Sequence, residues 1–511
     1  MSTSWSQKDS KKKTVKPFVD KACALRPVLC RKRVYPIKAS LSDREATPED
    51  FYAFGFGRGD QGVLDFGSHY VGYLTLHLDA QGGPPDAPAF IKVKLCEHSR
   101  ELSENSADYT GWLGKGWLQE EWFHIDEFPA VLQLPRRYAL RYLKLEVLDT
   151  SPNYRLLVKK AALDAVTSAP DTRIPPLDTQ DALLQQIDAV SIRTLRECMQ
   201  EVFEDGPKRD RRLWIGDLRL QAKANAVTFR NFDLVKRCLY LFAGLIREDG
   251  VVGSCLYAEP RLVVDNIFLL DYSLFFVPTL LDYYHASRDR ETLEELAPTA
   301  LRQLEEAARY LQPDGILEPE GRYSCFIDWK EDLDKQAAME GVYLYSLRCG
   351  TQLCRELGDG EREDLLTQAY EEGKGAALQT LWDEGRKLFV SGPERQVSWA
   401  SQIWMCLAGV AEGHAAAELL KRVRKTDNVC GMVTPYLFHH YVQALMDCGE
   451  REQAIAEIRR YWGGMVDAGA DTFWELYDPE DPLSSPYGSC MVNSYCHAWS
   501  CTPSWLLRRN R

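Results

Sequence analysis

The sequence predicts a mainly α protein that carries an antiparallel β-sandwich at its amino-terminal end, and two patterns predict it. Before Thr172 apolar residues alternate with polar ones at period two, whereas after Leu177 they recur every three or four residues. The proline-containing stretch Thr172-Arg-Ile-Pro-Pro-Leu177 separates the two regimes, so the expected domains are 1–175 and 176–511.

In the first region Ile91-Lys-Val-Lys-Leu95 and Leu143-Lys-Leu-Glu-Val147 alternate apolar with charged residues, as half-buried strands do. Residues 71–78, 122–125 and 154–158 are further strand candidates, separated by turn-rich pieces such as Gly82-Gly-Pro-Pro-Asp86. Short strands at such spacing suit a sandwich. Gly57-Arg-Gly-Asp-Gln-Gly62 fits the G-x-G-x-x-G pattern, but strand-like residues 63–78 follow where a dinucleotide site needs a helix. A plain turn is expected there.

In the second region Leu234, Cys238, Leu241 and Leu245 form one helical stripe, and Leu301, Leu304, Ala308 and Leu311 form another. Each runs into a similar stop, Glu248-Asp-Gly-Val-Val252 and Pro313-Asp-Gly-Ile-Leu317, whose glycine suits a helix carboxyl end. Twelve helices with connections fit the region at about 28 residues each. Six helical hairpins closed into an (α/α)6 barrel satisfy this pattern, and so does an open solenoid.

Composition narrows the function. Asp plus Glu number 75 against 62 Lys plus Arg, a net charge of −13 that argues against polyanion binding, so no nucleic acid is expected. No apolar run is long enough to span a bilayer, and the amino-terminal residues lack a secretory core. Lys11, Lys12 and Lys13 read as a frayed, solvated tail. The odd count of 15 cysteines at irregular spacing reads as reduced thiols, and the expected compartment is the cytoplasm. Cys490, Cys496, His497 and Cys501 lie close together but lack the CxxC pair of structural zinc, so neither metal nor cofactor is expected.

The densest chemistry lies in Asp205-Gly-Pro-Lys-Arg-Asp-Arg-Arg-Leu-Trp-Ile-Gly-Asp217, where carboxylates, arginines and a tryptophan alternate. Carboxylates and arginines can bind the hydroxyls of a pyranose, and an indole can cover its C–H face. A second group follows at Asp471-Thr-Phe-Trp-Glu475 and Asn493-Ser-Tyr-Cys-His-Ala-Trp499. Two separated carboxylates, one to protonate the leaving oxygen and one to activate water, are what glycoside hydrolysis requires.

The first stretch resembles the Asp-Cys-Pro-x-Arg-Glu and Trp-x-Gly-Asp signature of the α-L-rhamnosidases of glycoside hydrolase family 78, and Asp471-Thr-Phe-Trp-Glu475 is similar to that family's Thr-Thr-x-Trp-Glu motif. The resemblance implies an (α/α)6-barrel catalytic domain of an inverting hydrolase, with Asp210 as general acid and Glu475 as general base. It further implies that Asp205, Arg209 and Asp217 bind rhamnose hydroxyls and that Trp214 and Trp474 line the sugar site. Asp328-Trp329 looks like the family's Gly-Asp-Trp element, and His497 like the histidine that follows the Glu motif.

Position 210 departs from the family in carrying Asp, one methylene shorter than the usual Glu. Asp205 and Asp217 are expected to raise its pKa, Arg209 and Arg211 to lower it. The chain has no room for the extra sandwich modules of many relatives, which implies a small-molecule glycoside as substrate, without membrane partners; a homodimer is compatible with this. Two other readings stay open: an (α/α)6 hydrolase for another 6-deoxy or L-sugar, and a non-catalytic carbohydrate-binding protein on a degenerate hydrolase scaffold. A helical-repeat interaction scaffold would explain the stripes but not the paired acidic motifs.

Overall fold

The computed structural model describes residues 11–42, 44–318, 325–481 and 484–509. Nine strands form one antiparallel sheet: β1 (Cys30–Val34), β2 (Lys38–Leu41), β3 (Arg44–Ala46), β4 (Gln61–Gly82), β5 (Ala89–Cys96), β6 (Glu120–Ile125), β7 (Ala130–Gln133), β8 (Tyr138–Asp149) and β9 (Tyr154–Thr167). Every segment expected as a strand lies inside one of them. The main path runs β1-β9-β4-β8-β5-β6.

Strand β4 links these strands into one hydrogen-bonded network. It is 22 residues long; its first part pairs with β2 and its second with β9 and β7, and its pairing with β8 shifts register between Asp65 and Tyr70. The alternating residues Leu74, Leu76 and Leu78 of β4, Ile91, Val93 and Leu95 of β5, and Leu143, Leu145 and Val147 of β8 are buried in one core. Period two places them on one face, and loss of apolar surface to water holds them there. Residues 57–60 turn at Gly59, with φ +82°, as expected, and lead into β4.

Thirteen helices follow among the described residues: α1 (Ala182–Cys198), α2 (Ile215–Val227), α3 (Phe232–Gly244), α4 (Leu270–Leu274), α5 (Phe276–Ser287), α6 (Arg290–Ala308), α7 (Gln336–Leu357), α8 (Gly360–Thr380), α9 (Trp399–Leu407), α10 (Gly413–Arg424), α11 (Pro435–Asp447), α12 (Arg451–Asp467) and α13 (Pro503–Arg508). Contacts run from α2 to α5, α7, α9 and α11 in turn, and α13 touches both α11 and α2. Helices α2 and α11 are buried nearly all round, whereas α8 buries only Tyr370, Gly373 and Ala377. Helix α11 is mostly apolar, as an inner helix is, whereas α2 takes the charged and polar side chains of Asp217, Arg219, Gln221, Lys223 and Asn225 inside with it.

Three local expectations change. Gly250 and Gly315, at φ +90° and +82°, are not at helix ends. Each turns a small hairpin just beyond one, closed by the bridges Ile246 to Val252 and Leu311 to Leu317. The buried stripe of α6 accordingly ends at Leu304 and Ala307, while Ala308 and Leu311 are exposed.

The lysine tail is also ordered. Lys12–Thr14 pairs antiparallel with Leu245–Arg247, and Lys12 Nζ donates to Val264 O at 2.7 Å. The next helix, Lys16–Ala24, packs on α3 and puts Ala22 into the helical core. A strand pairing supplies the partners that backbone N–H and C=O groups need, while the lysines themselves stay exposed as expected. Residues 1–10 lie outside the described part. Among the described residues, no helix is long and apolar enough to cross a membrane.

Candidate active site

Asp205 opens a tight loop and holds it from within. Its Oδ1 accepts the Arg212 N–H at 3.0 Å and its Oδ2 the Asp210 N–H at 3.3 Å. The loop closes this tightly because position 206 has no side chain: a Cβ there would stand 2.2 Å from Arg209 O and 2.6 Å from Ser494 Oγ. Ser494 Oγ instead donates to Arg209 O at 2.8 Å, fastening the loop to the chain segment after Glu475. Asp205 therefore shapes the loop as well as facing the cavity.

Burial first, and the Asp210 charge second, push the Asp205 carboxyl up to about 7 from an ordinary 3.8. Between those two values the folded protein holds a proton that the unfolded chain has released, so this group makes stability fall as pH rises through that window. Asp205→Asn, which keeps one oxygen to accept an N–H, is expected to flatten that part of the pH dependence of urea-unfolding midpoints. An unchanged slope would contradict the assignment.

Arg209 joins the two acidic motifs. Its guanidinium contacts Glu475 Oε2, lies 3.5 Å from Asp210 Oδ1, donates through Nε to Val492 O at 2.8 Å, and rests 4.1 Å from the ring centre of Tyr487. Burial lowers its pKa, but Glu475, Tyr487 and Asp210 together raise it further, so the cation persists. Glu475 is itself fixed on both oxygens: Tyr487 OH donates to Oε1 at 2.5 Å, and the Ser494 N–H approaches Oε2 at 3.4 Å. Charge-assisted bonds of this kind orient a carboxylate closely.

Asp217 stands in the first turn of α2, directly after the indole of Trp214. Gly216 between them lets the Tyr272 ring lie against the helix start, where a Cβ would come within 2.5 Å of it. The Trp214 and Tyr272 rings meet edge to face at 6.0 Å. Burial, then the charges of Asp205 and Glu475, hold the Asp217 carboxyl well above the usual carboxylate range. Oδ1 of Asp217 lies 3.6 Å from Nδ1 of His497, and neither atom hydrogen-bonds another described residue. Burial, reinforced by Arg209, lowers His497 to about 3, so its ring is neutral.

One cavity takes in Asp205, Arg209, Asp210, Asp217, Glu475 and His497, walled by the rings of Trp214, Tyr272, Phe326, Trp329, Tyr487 and Trp499. Acids that can give and take protons thus face aromatic rings. Two family models match the chain on either side of the linker: the glycosyl hydrolase family 78 alpha-rhamnosidase N-terminal domain over residues 36–165, and the bacterial alpha-L-rhamnosidase 6 hairpin glycosidase domain over residues 173–510. The chain belongs to glycoside hydrolase family 78.

Similar solved structures include a rhamnosidase from Klebsiella oxytoca with rhamnose bound, 46% identical, with a TM-score of 0.94 over 98% of this chain and 99% of that one. The family 78 rhamnosidase of Bacillus sp. GL1 shares the fold, with a TM-score of 0.72 at 21% identity over 88% of this chain and 46% of that one. An alpha-L-rhamnosidase of Streptomyces avermitilis is 24% identical over 462 residues, 87% of this chain. The chain spans only 42% of the length of that curated relative.

Against these family 78 expectations, eight of the ten expected site residues meet in the cavity: Asp205, Arg209, Asp210, Trp214, Asp217, Trp329, Glu475 and His497. Asp328 does not reach it. Its carboxylate accepts Val433 N–H at 2.8 Å, Thr434 N–H at 3.1 Å and Thr434 Oγ1–H at 2.6 Å, tying its loop to the start of α11. Trp474 does not line it either: its ring packs on His98, Tyr495 and Arg100, because its neighbour Glu475 takes the side facing the cavity. Arg211 also turns away, donating to Pro207 O and Arg137 O, and of the two arginines expected beside Asp210 it is Arg209 that pairs with it. The rings of Tyr272, Phe326, Tyr487 and Trp499 were missed. Two of them had a signal: Trp499 stands two residues after His497, and Phe326 two residues before Asp328.

The first part of the chain reaches this site through Lys208, 1% exposed, which contacts Glu101 at 2.5 Å and Asn493 O at 3.1 Å. Glu101 Oε1 accepts the N–H groups of Glu97 and His98, while Glu97 accepts Tyr495 N–H and pairs with His69 at 3.0 Å. The sheet region and the loop that carries Asp205 and Arg209 thus share one buried charge network.

Proposed function

We propose that this family 78 chain is an inverting α-L-rhamnosidase acting on small rhamnosides. The observation that carries this reading is Arg209, whose one guanidinium touches both Glu475 and Asp210, acids from motifs far apart in the chain, inside a single ring-walled cavity. The contacts that return from α13 to α2 support reading the helices as an (α/α)6 barrel, with residues 1–175 and 176–511 as the two domains.

In this mechanism Asp210 protonates the glycosidic oxygen while Glu475 takes a proton from water, which attacks the anomeric carbon from the opposite face. Arg209 and Tyr487 hold the base in place. The orphaned Asp217 Oδ1 and His497 Nδ1 fit sugar hydroxyls, since buried polar atoms without partners cost free energy that a bound hydroxyl relieves. Trp214 and Trp329 offer faces to the C–H side of the ring.

A panel of aryl glycosides that differ only in the sugar tests the reading. The α-L-rhamnoside is expected to turn over fastest, and proton NMR in the first minutes to show β-L-rhamnose before mutarotation. Turnover of a different sugar would reassign the specificity. An α product formed first would make Glu475 a nucleophile, with the carboxyls about 5 to 5.5 Å apart where inversion needs roughly 6.5 to 9.5 Å.

A further inference from the structure

We propose that Trp112, supplied by a loop of the sheet region, is the platform on which the aglycone of the substrate rests. The inference builds on the hydrolase reading above and adds the residue that selects what the sugar is attached to. Among the cavity carboxylates, Asp205, Asp217 and Glu475 are buried, whereas the Asp210 side chain is 22% exposed. The acid stands at the mouth, so the oxygen it protonates points outward and the leaving group lies beyond the rim.

Next to the wall residue Tyr487 stands Trp112, which is 53% exposed. It is not loose. Its Nε1–H donates to Pro486 O at 3.0 Å, and its ring lies 5.6 Å from that of Tyr487, tilted by 52°. Tyr487 is the cavity wall residue that donates to Glu475, and its ring meets that of Trp329 at 6.2 Å. Trp112 thus continues outward the line of rings that begins inside the cavity.

The loop that carries Trp112 is anchored for this. Tyr109 and Leu118 share a small core with Tyr487, Met491 and Val492. Gly111 permits the close approach, since a Cβ there would stand 1.9 Å from Tyr487 O. A fixed indole with one open face suits a ligand with a flat apolar side, either an aryl group or the C–H face of a second sugar.

The test compares kcat/KM of wild type, Trp112→Ala and Trp112→Phe on methyl, p-nitrophenyl and β-glucosyl-linked α-L-rhamnosides, together with inhibition by free L-rhamnose. The ratio of aryl to methyl kcat/KM is expected to fall about tenfold in Trp112→Ala and to recover largely in Trp112→Phe, with rhamnose inhibition unmoved. A matching fall for the disaccharide identifies a sugar aglycone, and a fall for the aryl substrate alone an aromatic one. An unchanged ratio, or an equal loss on all substrates with weakened rhamnose inhibition, would make Trp112 a staple for Tyr487 and overturn the proposal. Absence of turnover on every rhamnoside in wild type would instead refute the hydrolase reading, and this inference with it.

Discussion

Asp210→Asn is expected to slow hydrolysis of alkyl and sugar rhamnosides by about 10² to 10⁴-fold, with a far smaller loss on activated aryl rhamnosides. A phenolate of low basicity leaves without a proton, whereas an alkoxide needs one, so only the second class depends on the acid. Geometry suits Asp210 to this proton transfer, because its backbone is pinned by Asp205 and it is the exposed acid at the cavity mouth. The side chain is one methylene shorter than the family's usual Glu, and the tight loop through Gly206 sets how near it comes. Measured across leaving groups of graded acidity, the variant should show a steeper dependence than wild type. A uniform loss would remove Asp210 from the role.

Lys208→Met is expected to destabilise the fold by about 3 to 5 kcal/mol, the usual cost of leaving a buried charge without its partner. Burial by itself would lower the Lys208 pKa, but Glu101 and Glu97 raise it, so the ammonium is present, and Glu101 at 2.5 Å depends on it. Urea unfolding reads the loss. Because Lys208 directly precedes Arg209, kcat/KM should fall as well. The double variant Lys208→Met with Glu101→Gln removes charge on both sides and should recover part of the stability. A loss below about 1 kcal/mol in the single variant would show that water reaches the site and screens the pair.

Much of the site was legible because short motifs carry their chemistry with them. Asp210, Asp217 and Glu475 could be picked from the residue types around them, and all three face one cavity. The failures share one cause. Trp474 adjoins Glu475, yet only packing decided that the indole would face His98 while the carboxylate faces the cavity. Asp328 adjoins Trp329, yet three hydrogen bonds from residues 433 and 434 claim its carboxylate. Tyr487 had no motif, since what defines it is an oxygen within reach of Glu475, 12 positions earlier in the chain.

The same division holds for the whole molecule. By itself the sequence determined where strands give way to helices, which residues alternate toward a core, and which acids stand among arginines and indoles. Each of these is a property of residues within a few positions of one another, where side-chain type and backbone period act directly. Tertiary structure alone decided that β4 would join the strands into one sheet, and that Lys12 would pair with a strand more than two hundred residues away. It likewise decided that Arg209 would touch both Asp210 and Glu475, and that Trp112 would stand beside Tyr487. Those contacts form because burial and hydrogen bonding are satisfied over the whole chain at once, and no local window holds that information.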